Sequence, residues 1–100
     1  MGTPAAGGAI IHLPAPLRAR AGNRSAVRGQ GSTVRAVIAD LDRQFPGMRT
    51  ALCEETGNLR PFVNIFLEND NVRDLQGLDT PVNGEVRLHV LLSVAGGDAN

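Results

Sequence analysis

The sequence predicts an α+β domain, a mixed sheet packed on one main helix. Three observations predict it. A single stretch has helical periodicity, with Val34, Val37, Ile38, Leu41 and Phe45 at i, i+3, i+4, i+7 and i+11. Stretches of strand character flank it, around 9–13, 62–67 and 86–92. The helix stripe and one face of each strand are apolar, and packing one helix on one sheet buries all of them together.

Composition narrows the class. One hundred residues make a single domain with one modest core, and 42% apolar content suits a globular chain. Phe45, Phe62 and Phe66 are the only aromatics, which argues against a stacking platform for single-stranded nucleic acid. Ten Arg balance ten acidic residues, so no net field draws nucleic acid or membrane. There is no lysine, which excludes a lysine nucleophile or Schiff base. Cys53 stands alone, so no internal disulfide forms. Residues 1–8 lack the basic and apolar regions of a signal peptide or membrane span. They are expected to form a disordered arm, and the protein is expected to be cytoplasmic and monomeric.

Taken in order, Ala9, Ile11 and Leu13 alternate with Ile10, His12 and Pro14, as in a strand with one buried face. Ala21-Gly22-Asn23-Arg24 reads as a turn, and a short strand from Ser25 to Arg28 is expected to pair back before Gly29-Gln30-Gly31 breaks it. Ser32 is the expected helix cap. Arg35, Asp40, Asp42 and Arg43 lie off the apolar stripe, and Pro46-Gly47 stops the helix. Met48 to Glu55 suggests another helical turn anchored by Leu52. Phe62 to Leu67 is rich in aromatic and β-branched residues and reads as a strong strand. Glu68-Asn69-Asp70-Asn71 reads as a tight turn, and 75–82 as irregular with Leu78 plugging the core. After Asn83-Gly84, the residues Val86, Leu88, Val90 and Leu92 alternate with Arg87, His89 and Leu91.

A first hairpin, a helix, and a last strand returning beside the first give the β-grasp arrangement of ubiquitin. The domain is expected to span 9–94, with a flexible tail over 95–100. That tail contains Gly96-Gly97 and continues as Asp98-Ala99-Asn100. A glycine pair by itself is weak evidence and describes a frayed terminus. Glycine has no Cβ, however, so an extended Gly-Gly fits a channel too narrow for side chains.

No catalytic motif stands out. His12, His89 and Cys53 have no metal-ligand spacing and are read as surface or edge histidines and a structural thiol. Glu54-Glu55 reads as a solvated face. Asp40 and Asp42, two apart on a helix, point different ways and form no carboxylate pair. There is no phosphate loop, dinucleotide fingerprint or triad motif. These residues describe a substrate or carrier, not an enzyme, with no metal or cofactor bound by the chain.

From Ile10 to Gly97 the chain resembles the ubiquitin-like sulfur carriers of the ThiS and MoaD group, and is most similar to CysO-type carriers. The resemblance rests on Leu13-Pro14 with Leu17-Arg18, and on the helix Thr33 to Leu41. It is carried most specifically by Phe62-Val63-Asn64-Ile65-Phe66, Asp70-Asn71-Val72-Arg73, Gly77-Leu78 and Val94-Ala95-Gly96-Gly97. It implies that the Gly97 carboxylate is adenylated by a ubiquitin-activating-type enzyme using ATP and converted to a thiocarboxylate. Val94, Ala95 and Gly96 would thread into that enzyme, and sulfide would pass to an acceptor in a synthase.

Two departures accompany the resemblance. Carriers of this kind end at Gly-Gly, whereas Gly97 here is followed by Asp98 and carries an amide. A JAMM-type zinc metallopeptidase cutting between Gly97 and Asp98 would restore the carboxylate. Also, Asn83-Gly84-Glu85 lies one residue further from the tail than the corresponding family turn, and a bulge in the last strand is expected to absorb the difference. An exposed apolar patch near the tail, centred on Phe66 and Leu91 on the sheet face away from the helix, is the expected docking surface. The alternative is a ubiquitin-like protein-binding or modifier domain that never carries sulfur.

Overall fold

A computed structural model describes residues 7–93. Five strands form one sheet in the order β2-β1-β5-β3-β4. They are β1 (Gly8–His12), β2 (Ala26–Gln30), β3 (Val63–Leu67), β4 (Asp70–Asn71) and β5 (Glu85–Leu92). Strand β1 pairs antiparallel with β2 and parallel with β5, while β5 pairs antiparallel with β3. The last strand thus lies at the centre of the sheet beside the first, as the alternation of Val86 to Leu92 requires of a strand buried on one face.

One face of the sheet carries α2 (Val34–Gln44), whose Val34, Val37, Ile38 and Leu41 are buried. The opposing strand residues Ala9, Ile11, Val27, Val63, Ile65, Leu88 and Val90 are buried as well. Helix α1 (Ala15–Arg18) contributes Leu17, and α3 (Met48–Leu52) contributes Met48 and Leu52. Leu78, in a 3-10 turn at Gly77–Asp79, closes the end of the core as expected.

Several boundaries differ from the sequence reading. Gly8, assigned to the disordered arm, is the first residue of β1 and pairs with both Gln30 and Glu85. Strand β2 runs on through Gly29 and Gln30 instead of breaking there. Gly29 faces α2, and a Cβ there would meet Val37 at 3.1 Å and Leu41 at 3.3 Å. The glycine therefore allows the helix to pack closely on the strand. Thr33, not Ser32, caps α2: its Oγ1 accepts from the Ala36 N–H at 3.1 Å. The Ser32 carbonyl is engaged by the Val82 N–H at 2.9 Å, which holds that residue outside the helix. Asp70-Asn71, read as part of a turn, pairs back on Phe66 and Leu67 as a two-residue strand. No bulge interrupts β5. Its ladders run in continuous register from Gly8↔Glu85 to His12↔His89, and from Leu67↔Leu88 to Val63↔Leu92. Residues 1–6 of the expected arm and the expected tail, with Val94, Ala95, Gly96, Gly97 and Asp98, lie outside the described residues.

Candidate functional site

Two regions bear on function, the sheet face away from α2 and the end of β5 where the chain passes into residue 94. Alternation sets the first. Inward-facing Leu88 and Val90 leave Arg87, His89 and Leu91 pointing outward, and inward-facing Val63 and Ile65 leave Phe62, Asn64 and Phe66 outward. Register places Asn64 opposite Leu91 and Phe66 opposite His89. Leu91 is 51% exposed, while Phe66 is half-buried. Neither is a core residue, and both stand on the outer face where the sequence placed them. Phe62, 39% exposed, extends the apolar surface toward the tail. Its signal was the period-2 alternation with Phe66.

The histidines are not on edge strands. His12 on β1 and His89 on β5 are register partners, half-buried, with rings stacked 4.6 Å apart at 8°. They form one row with Phe66 across three strands. Linear spacing hides this pairing, because 76 residues lie between the two in sequence and only the parallel crossover brings them together. Among the described residues, no group of three or more His, Cys, Asp or Glu side chains is placed to hold a metal ion.

Hydrogen bonds fix the base of the tail. The Ser93 N–H donates to the Phe62 carbonyl at 2.7 Å, continuing the β3–β5 ladder one step past Leu92. Asn64 Nδ2 donates to Ser93 Oγ at 2.9 Å. The Asn64 Oδ1 accepts from Arg73 Nε and from Asn71 Nδ2, both at 3.4 Å. Arg73 Nη2 donates to the carbonyls of Arg60 at 2.8 Å and Val63 at 2.6 Å.

The other titratable groups singled out in the sequence have structural surroundings. Asp40 accepts from Arg43, Gln44 and the Gln30 N–H. The Arg43 bond and then the Gln30 N–H hold its carboxyl below the usual carboxylate value. Asp42 Oδ1 accepts from the N–H groups of Gly47 and Arg49, at 3.2 and 3.0 Å, which ties the start of α3 to α2. The two carboxylates do point different ways. Cys53 is buried, and burial pushes its thiol pKa up despite the nearby Arg49, Arg35 and Arg60. It lines a groove of about 210 Å³ between α2 and the 53–57 loop, with Ile38 and Leu78 as apolar walls. That is smaller than the roughly 300–1,000 Å³ of small-molecule sites. Glu54 and Glu55 are exposed. No helix among the described residues is long and apolar enough to cross a membrane.

The sequence pattern of the ThiS family matches residues 11–97, from the first strand through the second glycine of the tail. The chain belongs to the ThiS family. Membership places it among small sulfur carriers, which are substrates of enzymes and not catalysts themselves. The sulfur carrier protein CysO of Mycobacterium tuberculosis is 34% identical over 89 residues, covering 87% of this chain and 96% of that protein. Among solved structures, CysO in the Amycolatopsis orientalis BexX/CysO complex superposes with a TM-score of 0.83 at 30% identity, covering 89% of this chain and 99% of that one. The small archaeal modifier protein 1 of Methanosarcina acetivorans superposes with a TM-score of 0.79 at 25% identity, covering 93% and 99%. The β-grasp architecture expected from element order is thus shared with both carriers and modifiers.

Proposed function

We propose that this ThiS-family chain carries sulfur on the carboxylate of Gly97. In this reading a zinc metallopeptidase of the JAMM type first removes Asp98-Ala99-Asn100 by hydrolysis of the Gly97–Asp98 bond. An adenylating enzyme of the ubiquitin-activating type then binds the carrier. A Gly97 carboxylate oxygen attacks the α-phosphorus of ATP, and pyrophosphate leaves. A sulfur nucleophile attacks the Gly97 carbonyl carbon, AMP leaves, and a thiocarboxylate remains. A synthase takes sulfide from it for the biosynthesis of cysteine, a cofactor or a sulfur-containing natural product. The observation that carries the proposal is that the family match runs to residue 97, the second of two glycines able to enter a channel closed to side chains.

A tail of four residues buries far less than the roughly 800 Å² per partner of a specific interface. The body must therefore contribute, and the outer sheet face suits that role, with Leu91 near the tail base and Phe66 further along β3. Docking on this face would leave Val94, Ala95 and Gly96 to thread inward.

Likeness to an archaeal modifier protein favours a second reading, a domain that works by attachment or binding without carrying sulfur. Pyrophosphate exchange with the adenylating enzyme tests the tail chemistry. Three chains should be compared: full length, ending at Gly97, and ending at Gly96. Only the chain ending at Gly97 should exchange. Full-length chain exchanging equally well without trimming would overturn the precursor step.

A further inference from the structure

We propose that Arg73, Asn64 and Ser93 form a clamp that sets the direction in which the tail leaves the sheet, and that delivery of Gly97 to a partner active site depends on it; the second half rests on the sulfur-carrier reading above. Ser93 is the last described residue, four positions before the reacting carbon. Its backbone N–H bonds to Phe62, which fixes where the ladder ends but by itself does not set φ of Ser93, and so not the direction of its Cα–C bond. The Asn64–Ser93 side-chain bond, 2.9 Å, adds a second point of attachment on the outer face. Two points define a direction where one defines only a position.

The bond has a built polarity. Arg73 has only donors, so its Nε at 3.4 Å requires the oxygen of the Asn64 amide, and the amide nitrogen is left facing Ser93. Asn71 Nδ2 reinforces the same orientation. Arg73 is itself held by the Arg60 and Val63 carbonyls and by its own N–H bond to Asn71 Oδ1 at 2.9 Å. Among the described residues Arg73 forms no ion pair with a carboxylate. Its Nε bonds to Asn64, and its Nη2 bonds to the entry of β3. The positioning chain therefore runs from the sheet to the tail base through the side chains of Arg73 and Asn64.

The test uses the chain ending at Gly97, with Asn64→Ala, Ser93→Ala, the double variant and Ser93→Thr. Each alanine variant should lower kcat/KM for pyrophosphate exchange about fivefold, the weight of one net hydrogen bond. The double variant should fall no further than either single one, because both remove the same bond. Ser93→Thr, which keeps the hydroxyl, should match the parent. A second readout needs no enzyme: the backbone order parameter at Ser93 should fall from about 0.85 to below about 0.6 in both single variants. Unchanged order parameters, or losses that multiply in the double variant, would overturn the clamp. If the parent chain fails to exchange, the carrier reading fails, and the order parameters still decide the clamp.

Discussion

Removing Leu91 should weaken docking by a margin that its exposure fixes in advance. Half of the side chain is already covered by sheet neighbours, and 51% remains in solvent. Burying a whole leucine contributes about 1.5–3 kcal/mol, so covering the open half contributes about 0.8–1.5 kcal/mol. At 1.4 kcal/mol per tenfold, Leu91→Ala should raise Kd for the adenylating enzyme about four- to twelvefold. The assay is titration calorimetry with the chain ending at Gly97, without ATP, well below the thermal midpoint so that both proteins stay folded. Leu75→Ala is the control, since Leu75 is 44% exposed but lies outside the sheet. It should leave Kd within about twofold, because generic stickiness would affect both leucines alike. If Leu91→Ala binds like the parent while Leu75→Ala does not, the docking surface lies elsewhere.

Other perturbations test the fold and the titrating groups. Leu41→Ala, at a fully buried helix position, should cost about 2–5 kcal/mol in denaturant unfolding, and a loss below about 1 kcal/mol would contradict the helix packing. Gly31→Ala places a Cβ 2.6 Å from the Ala36 Cβ and 2.7 Å from the Val37 backbone nitrogen, so overpacking should cost about 1–3 kcal/mol by the same measurement. Asp40, with its pKa depressed in the fold, contributes stability above its ordinary value of 3.8 that is lost as pH falls through the lower folded value. Asp40→Asn should therefore be less stable than the parent at pH 7 and show a shallower acid limb in thermal melts. Cys53 has the opposite sign: its raised pKa means stability is lost as pH rises past its ordinary value of 9.0. Its thiol should react with a disulfide reagent at least about tenfold more slowly in the native state than in denaturant.

How far the sequence was legible depended on whether a feature was local. The helix stripe at Val34, Val37, Ile38 and Leu41 and the alternation along Val86 to Leu92 are local patterns of burial, and the structure follows them. The exposure of Leu91 also came from alternation alone. What was missed depends on residues distant in the chain. Gly29 reads as a breaker until the close approach of Val37 and Leu41 is known. The choice of Thr33 over Ser32 as cap is made by Pro81-Val82, which pair with that segment. His12 and His89 look unrelated until the parallel ladder stacks them. Arg73 and Asn64 carried family resemblance, but only the fold brings Arg73 to Asn64 and Asn64 to Ser93.

Intact-mass spectrometry tests the central claim most directly. The chain ending at Gly97 is incubated with its adenylating enzyme, ATP and a sulfide source. The account predicts a gain of about 16 Da as the terminal carboxylate oxygen is replaced by sulfur, with the change confined to the C-terminal fragment. A chain that forms the adenylate yet keeps its mass after sulfide is added, or gains sulfur at Cys53 instead of Gly97, would contradict it.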